Sequence, residues 1–517
     1  MASPALRAFH ALAVCALWGA VVGAGAGCTP QLSEDNRSCP CTAGYACCPL
    51  SNLCLPDGAT CAMIQVSADR AIVRQGGTVQ LTVNGTGLGD ADNIVLGSLK
   101  LTRPSDAKPN SFRLAVTIPS GTPPGPLGLT FTTQGGRKML GQAGVVTVSP
   151  ITVALNGDDK QNDGASDRPF GTIARALQVA GPGDTLHLDA GVHGDNSDPY
   201  VRYYLPPKAT LEGDSSSTTL LSGQIVIAAD GVIQHLALDS LVQISGKGST
   251  VKVTDVQASG DGAGFDVSPF ASGATLVISG KTSVSSAATK PVRWEADDGS
   301  LQVIEGSVLS SLDEKDGEAI RMEGNRVQVK IDSAQINSRG ANAVAMIGQA
   351  NVLITNTLFQ GILDLMGPDT TGTVSNSTFQ ISSATSAIGG IYFFGDSLSV
   401  TDSIFNVVGL FENNFSSMIV VRGCIFSGYR EPAVLLQRGT MDLGTMTDPG
   451  HNQFMPGEFV TENPPVALRV VAETGMASAS FSATTVDGDS PPLGHVMGPA
   501  TAAPYYSIEQ MVPINFY

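Results

Sequence analysis

The chain has 517 residues, with 46 Asp and Glu against 29 Lys and Arg, a net charge of −17, and only 15% charged residues beside 59 Gly. That length exceeds one ordinary compact domain unless much of it is a solenoid, which lengthens without widening its core. The acidic balance excludes the basic footprint of a nucleic-acid binder and repels phosphate and anionic lipid.

In chain order, residues 1–27 read as an export signal. Arg7 supplies the positive start, residues 11–22 are an almost unbroken apolar run too short to favour a membrane span, and residues 23–27 are all Gly or Ala. The step from small residues into Cys28 resembles a bacterial lipobox. That resemblance implies a lipid thioether on Cys28 and an outer-membrane lipoprotein. Gly25 stands where the motif usually carries Leu, so ordinary cleavage and free secretion is the competing outcome. No later segment is apolar enough to span a bilayer, so the membrane enters only through this anchor.

Residues 28–62 hold Cys39, Cys41, Cys47, Cys48, Cys54 and Cys61, spaced C-x-C-x5-C-C-x5-C-x6-C. A segment this short cannot build a core alone, and in an exported chain it reads as a disulfide knot whose pairing the spacing leaves open. Adjacent Cys47 and Cys48 and the lack of a nearby His weigh against a zinc site.

Residues 63–149 alternate polar and apolar side chains in short runs, as in Thr78-Val79-Gln80-Leu81-Thr82-Val83 and Phe112-Arg113-Leu114-Ala115-Val116, with Gly, Pro and Asn between them. This pattern fits an immunoglobulin-like β-sandwich. With Asn84-Gly85-Thr86-Gly87-Leu88 followed by Pro119-Ser120-Gly121 and Pro124-Gly125, the segment resembles the IPT/TIG family. The resemblance implies a spacer or binding module without catalysis.

At residue 151 the texture changes. Asn156-Gly157-Asp158-Asp159 and Asn162-Asp163-Gly164 form polar turns, and residues 168–177 (RPFGTIARAL) lead to Gly181-Pro182-Gly183-Asp184-Thr185. Phe170, Ile173, Leu177 and Ala180 share one helical face, Thr172 is an N-terminal cap and Gly181-Pro182 stops the helix. This long motif closely resembles the start of DUF1565-type, pectate-lyase-like right-handed β-helix proteins, and the likeness extends over residues 151–517. It implies that the helix lids the open end of the solenoid.

From residue 205 to 430 a strand-like segment recurs, centred on Leu211, Val232, Val253, Ile278, Val303, Val329, Ile354, Val374, Val400 and Val421, at intervals of 20 to 26 residues. A period in that range with strand patterning and no intervening helix is the mark of a parallel β-helix. Four repeats align without a gap, with Asn356, Asn376, Asp402 and Gly423 at a bend that tolerates left-handed backbone. Phe359, Phe379, Phe405 and Phe426 follow as an aromatic stack. Cys424 fills a slot held elsewhere by Thr or Ser, and reads as structural.

Enzymes on this fold need carboxylates beside a Lys or Arg, or paired carboxylates near a scissile bond. The Gly-His-Gly, Arg-Ile-Lys and R-x-P-x-x-R signatures are absent. Asp158, Asp159 and Asp163, with Asn162, are calcium candidates through their oxygens, although a turn that docks the cap explains them equally. Asp297-Asp298 and the acidic run from Asp313 to Glu318 read as solvated turns, and His187 with His193 as a surface pair. Tyr200, Tyr203, Tyr204 and Trp294 are candidate sugar-stacking aromatics, with packing at the solenoid edge as the alternative.

The expected architecture is all-β: a disulfide-rich segment, an immunoglobulin-like sandwich, and a right-handed parallel β-helix with its cap. The expected function is that of an exported cell-surface protein displaying the β-helix for polysaccharide or surface-protein binding, without catalysis, cofactor or nucleic-acid partner. The alternatives are a lyase or glycoside hydrolase acting on an acidic polysaccharide, and a structural spacer.

Overall fold

The computed structural model describes residues 40–48, 53–57, 67–68, 71–85, 88, 91–108, 110–133, 138–140, 145–194, 201–314, 317–381, 390–406, 409–412, 417–429, 433–436, 439–444, 447–456, 468–470, 477–481, 485–486, 506–508 and 515–516. The export signal, Cys28, Cys39, Cys61, the Cys48 side chain and Tyr200 lie outside the described residues. The chain divides into two compact units. One takes in residues up to Ser67 with Asn84–Phe112 and Thr130–Gly141, and the other Ala68–Val83, Arg113–Leu129 and Gln142–Tyr517.

In the first unit, Tyr45–Cys48 and Leu53–Pro56 pair as an antiparallel hairpin. A disulfide joins Cys41 to Cys54, and Cys47 is also disulfide-bonded. Ala91–Leu96 and Leu99–Leu101 form an antiparallel pair in a four-stranded sheet, with Ile94 and Leu96 buried.

The second unit opens with Ala71–Arg74 running parallel to Val146–Ser149, which also pairs antiparallel with Gly125–Leu127. The expected alternation holds in residues 113–117, where Leu114 and Val116 are buried. Pro150 then leads directly into the first β-helix strand, Ile151–Val153, and buried polar groups fix this junction. Asp184, fully buried, accepts from the Gly121 and Gly181 backbone N–H groups at 2.7 Å each. The Gln75 side chain donates to the Thr122 carbonyl and accepts from the Thr185 N–H, also at 2.7 Å each.

The cap helix, α1 (Ile173–Val179), starts as its sequence requires. The Thr172 hydroxyl accepts from the Arg175 N–H at the N-terminus. Phe170, Ile173 and Ala176 are buried, and Leu177 and Ala180 pack on the same core.

Beyond the cap, each turn lays one strand on each of three faces, pairing in parallel with the turn before. Among the described residues the first face is a sheet of 15 strands, from Ile151–Val153 to Asn515–Phe516. The second face begins at Gly191–Gly194 and the third at Arg202–Leu205; each pairs onward turn by turn. The two faces merge where Gln335–Met346 and Leu358–Leu365 run unbroken around the corner.

Register corrects the repeat at two places. Leu211 stacks on Ile233, which stacks on Val253, while Val232 pairs with outward Thr210. Val303 stacks on Ile331, and Val329 instead joins the column of Leu301. Adjacent apolar residues, such as Val232 beside Ile233, make the inward position ambiguous to a pattern alone.

The bend prediction holds. Asn356, Asn376, Asp402 and Gly423 have φ of 52°, 49°, 49° and 64°. The rings of Phe359, Phe379, Phe405 and Phe426 stack, and Phe454 extends the column, with centroids 4.6 to 5.0 Å apart. That spacing is the strand-to-strand distance of a sheet, so every turn supplies a face for the next ring. Beside them runs a buried hydroxyl column. Thr357, Ser377 and Ser403 each donate to the carbonyl two residues earlier at 2.8 Å. The Ser377 and Ser403 oxygens also accept the N–H of the preceding turn at 3.3 and 3.2 Å. Cys424 continues the column, bonding to the Arg422 carbonyl.

Candidate functional site

The inside of a β-helix is filled by repetition, so chemistry falls to the outward positions, which alternate with the core along each strand. On the third face these form a single row in register: Tyr204, Val226, Gln243, Asp266, Arg293, Arg321, Ala345, Asp364 and Tyr392. Adjacent members are one strand spacing apart, about 4.8 Å. Opposite charges fill the middle of this stretch between Tyr204 and Tyr392, and the register carries the same position onward to Phe411 and Leu435.

Charged residues beside the row thicken its centre. Glu318 pairs with Arg321 at 3.1 Å and with Lys290 at 3.5 Å. Arg293 pairs with Glu295, and Arg321 also with Glu323. Carboxylates from several turns thus meet Lys and Arg on one outer face. The run from Asp313 to Glu318, read from sequence as a solvated turn, contributes Glu318 to this cluster, and the Glu318 side chain is only 13% exposed.

Asp364 is the most unusual member. The residue is 8% exposed, and its Oδ1 has no hydrogen-bond partner. Oδ2 accepts from Asn342 Nδ2 at 3.3 Å. Burial first, and the negative charge of Glu318 second, push its carboxyl up to about 6. Asn342 reaches it because the register of Gln335–Met346 shifts between Asn337 and Val344, a bulge that re-aims one side chain. Asp266 is raised as well, chiefly by burial, and its Oδ1 also lacks a partner. The row is therefore partly desolvated, and Asp364 holds a proton at mildly acidic pH that it can donate.

The sequence-derived candidates fall in different places. Tyr204 is 62% exposed and heads the row, whereas Tyr203 is buried. Trp294 is fully buried, and its Nε1–H donates to the Ala296 carbonyl at 2.7 Å, so it belongs to the core. The three cap carboxylates serve the local fold. Asp158 accepts from the Lys160 and Gln161 N–H groups. Asp159 accepts from the Gly171 and Thr172 N–H groups and the Thr172 hydroxyl, contacts that depress its pKa. Asp163 pairs with Arg168 at 3.1 Å.

A second cluster lies on the first face near the cap. His187 stands opposite Glu212 on successive strands, with Asp189 and Asp214 just past the strand ends. His187 Nδ1 is 3.4 Å from Glu212 Oε1, and its Nε2 is 3.1 Å from Asp214 Oδ1 and 3.6 Å from Asp189 Oδ1. The hydrogen bond to Glu212 is the main cause that raises the imidazole pKa. His193 is not its surface partner: it is buried, with Nε2 2.7 Å from the Asp189 carbonyl. A sequence signal for this cluster exists in hindsight. His187-x-Asp189 and Glu212-x-Asp214 are the same spacing displaced by one repeat.

Residues 155–389 match the family model described as protein of unknown function, DUF1565. No curated protein and no solved structure matches the chain. The matched residues are those that coil in parallel turn on turn, and the match together with this solenoid fits a β-helix of the pectate-lyase-like kind.

Proposed function

We propose that this is an exported surface protein whose β-helix binds an extended polysaccharide along the third face, without cleaving it. The observation that supports this reading is the in-register row from Tyr204 to Tyr392. Its step is comparable to the length of one sugar unit, its tyrosines offer faces for pyranose stacking, and its Arg and Asp side chains suit hydroxyls and carboxylates. In this reading residues 1–27 direct export, Cys28 carries a lipid anchor, and residues 63–149 act as an IPT/TIG-like spacer. Retention on a panel of immobilised polysaccharides tests it. Wild type is expected to bind at least one polymer, and R293A/R321A to lose binding. No retention on any polymer or on intact cell envelopes overturns it. Cys28→Ser is expected to release the protein from membranes, and unchanged fractionation counts against the anchor.

Asp364 favours a second reading, hydrolysis of an acidic polysaccharide. A buried carboxylic acid beside a second carboxylate is the arrangement that separates an acid from its partner in glycoside hydrolysis. Release of reducing ends near pH 5, abolished by Asp364→Asn, would replace the binding reading with this one.

A further inference from the structure

Among the described residues, His187, Asp189 and Asp214 are the one group of three metal-ligating side chains whose ligand atoms all lie within 4.8 Å of one another. The set differs from a solvated acidic patch in three respects. An imidazole stands at its centre, 23% exposed at the side chain and held on both ring nitrogens. Asp189, Glu212 and Asp214 form no ion pair with Lys or Arg among the described residues, so three carboxylates face one ring and negative charge is left in excess. The supports are also built in. Gln234 Nε2 donates to Glu212 Oε2 at 2.9 Å, and the Ala190 N–H donates to Asp214 Oδ2 at 3.0 Å. The second oxygen of each carboxylate is thereby left facing His187.

The spacings suit a small divalent ion. Ligand atoms about 2.0–2.1 Å from zinc at tetrahedral corners stand about 3.3–3.4 Å from one another. His187 Nε2 is 3.1 Å from Asp214 Oδ1 and 3.6 Å from Asp189 Oδ1. The opposite nitrogen faces Glu212, as for a metal-bound histidine whose other N–H is held by a carboxylate. An imidazole ligand favours zinc-class ions over calcium, which takes oxygen donors.

We propose that His187 Nε2, Asp189 and Asp214 bind a zinc-class divalent ion, with Glu212 orienting the imidazole from behind. The ligands come from two successive turns beside the cap, so the ion clips the capped end of the solenoid together. Neither the polysaccharide row nor its chemistry enters this proposal.

The test is equilibrium dialysis of the oxidised full-length protein against zinc chloride, read by elemental analysis, with thermal unfolding measured in parallel. Wild type is expected to retain one zinc per chain and to unfold at higher temperature with zinc. His187→Ala and Asp214→Asn are expected to lose both effects. Glu212→Gln should weaken binding about 10–100-fold, and Asp159→Asn in the cap turn should leave it unchanged. If His187→Ala fails to fold, Asp214→Asn decides, because its one amide oxygen can still accept from Ala190 while the NH2 group replaces the ligand oxygen. No zinc on wild type, zinc retained equally by Asp214→Asn, or calcium chloride bound in place of zinc would each overturn the proposal.

Discussion

Inside the turns from Leu358 to Phe454 one side chain repeats, Phe over Phe. On the outer side of the third face, the row from Gln243 to Tyr392 changes residue type at every step but one. Both columns ride on parallel strand pairing, the inner on the second face and the outer on the third. The inner column must fill the same space in each turn, so one shape recurs and each ring packs on its copy. The outer column has no such constraint, and its members differ in charge, size and solvation. Regularity thus carries the fold, and irregularity marks where chemistry can act.

The widest gap between the columns should appear in stability. Phe405 lies between Phe379 and Phe426, with centroids 4.9 and 4.6 Å away. Phe405→Ala removes contacts to both neighbouring turns and should cost about 3–5 kcal/mol. Arg293→Ala on the outer row, where the side chain is half exposed, should cost under about 1 kcal/mol. Denaturant melts with hydrogen exchange over residues 374–454 check this, and similar losses for the two variants would erase the distinction.

Asp364 belongs to the outer row but is buried like the inner one, and pH should separate it from its neighbours. Its carboxyl keeps a proton up to about pH 6 in the native state, against 3.8 for an ordinary Asp. Native protein therefore binds more protons than unfolded protein between those values. The stabilisation is complete below about pH 3.8 and is lost as pH rises through 6. The loss should be on the order of 2–3 kcal/mol. Asp364→Asn should flatten that part of the wild-type stability profile, and an unchanged slope would mean that the carboxyl is solvated.

The same contrast governs what could be read from sequence. The bend residues Asn356, Asn376, Asp402 and Gly423 were legible because local backbone preference dictates them, and Phe359 to Phe426 because they recur at fixed offsets from those bends. Val232 was misplaced because its neighbour Ile233 is equally apolar. The outer row stayed hidden for a different reason. Arg293, Arg321 and Asp364 lie on successive or nearby strands only once the connecting loops have set the register, and the steps between them differ in length. Asn342 reaches Asp364 only through a bulge, which no period reveals.

A smaller effect belongs to the bends. Asn376 holds φ of 49°, and its N–H donates to the Thr401 carbonyl of the next turn. Asn376→Ala keeps that bond but meets the left-handed penalty, and should cost about 1 kcal/mol. Asn376→Gly should be closer to neutral. Equal losses for Ala and Gly would place the stabilisation in the Asn side chain rather than in its backbone.

The smallest effect should come from an inner slot where the repeat changes its chemistry. Cys424 is fully buried, its N–H donates to Asn452 Oδ1 at 3.0 Å, and burial pushes its thiol up to about 12. At neutral pH it is a protonated thiol and a poor nucleophile. The three preceding turns fill this slot with the hydroxyls of Thr357, Ser377 and Ser403, each bonded to the carbonyl two residues back. A serine at position 424 can make the same bond to the Arg422 carbonyl, so Cys424→Ser should shift stability by under about 1 kcal/mol. Native protein should resist iodoacetamide at this thiol until it is unfolded. Rapid alkylation of the folded chain would show that the thiol is not buried, and a loss from Cys424→Ser comparable to that from Phe405→Ala would show that the column depends on the thiol itself and not on the bond it continues.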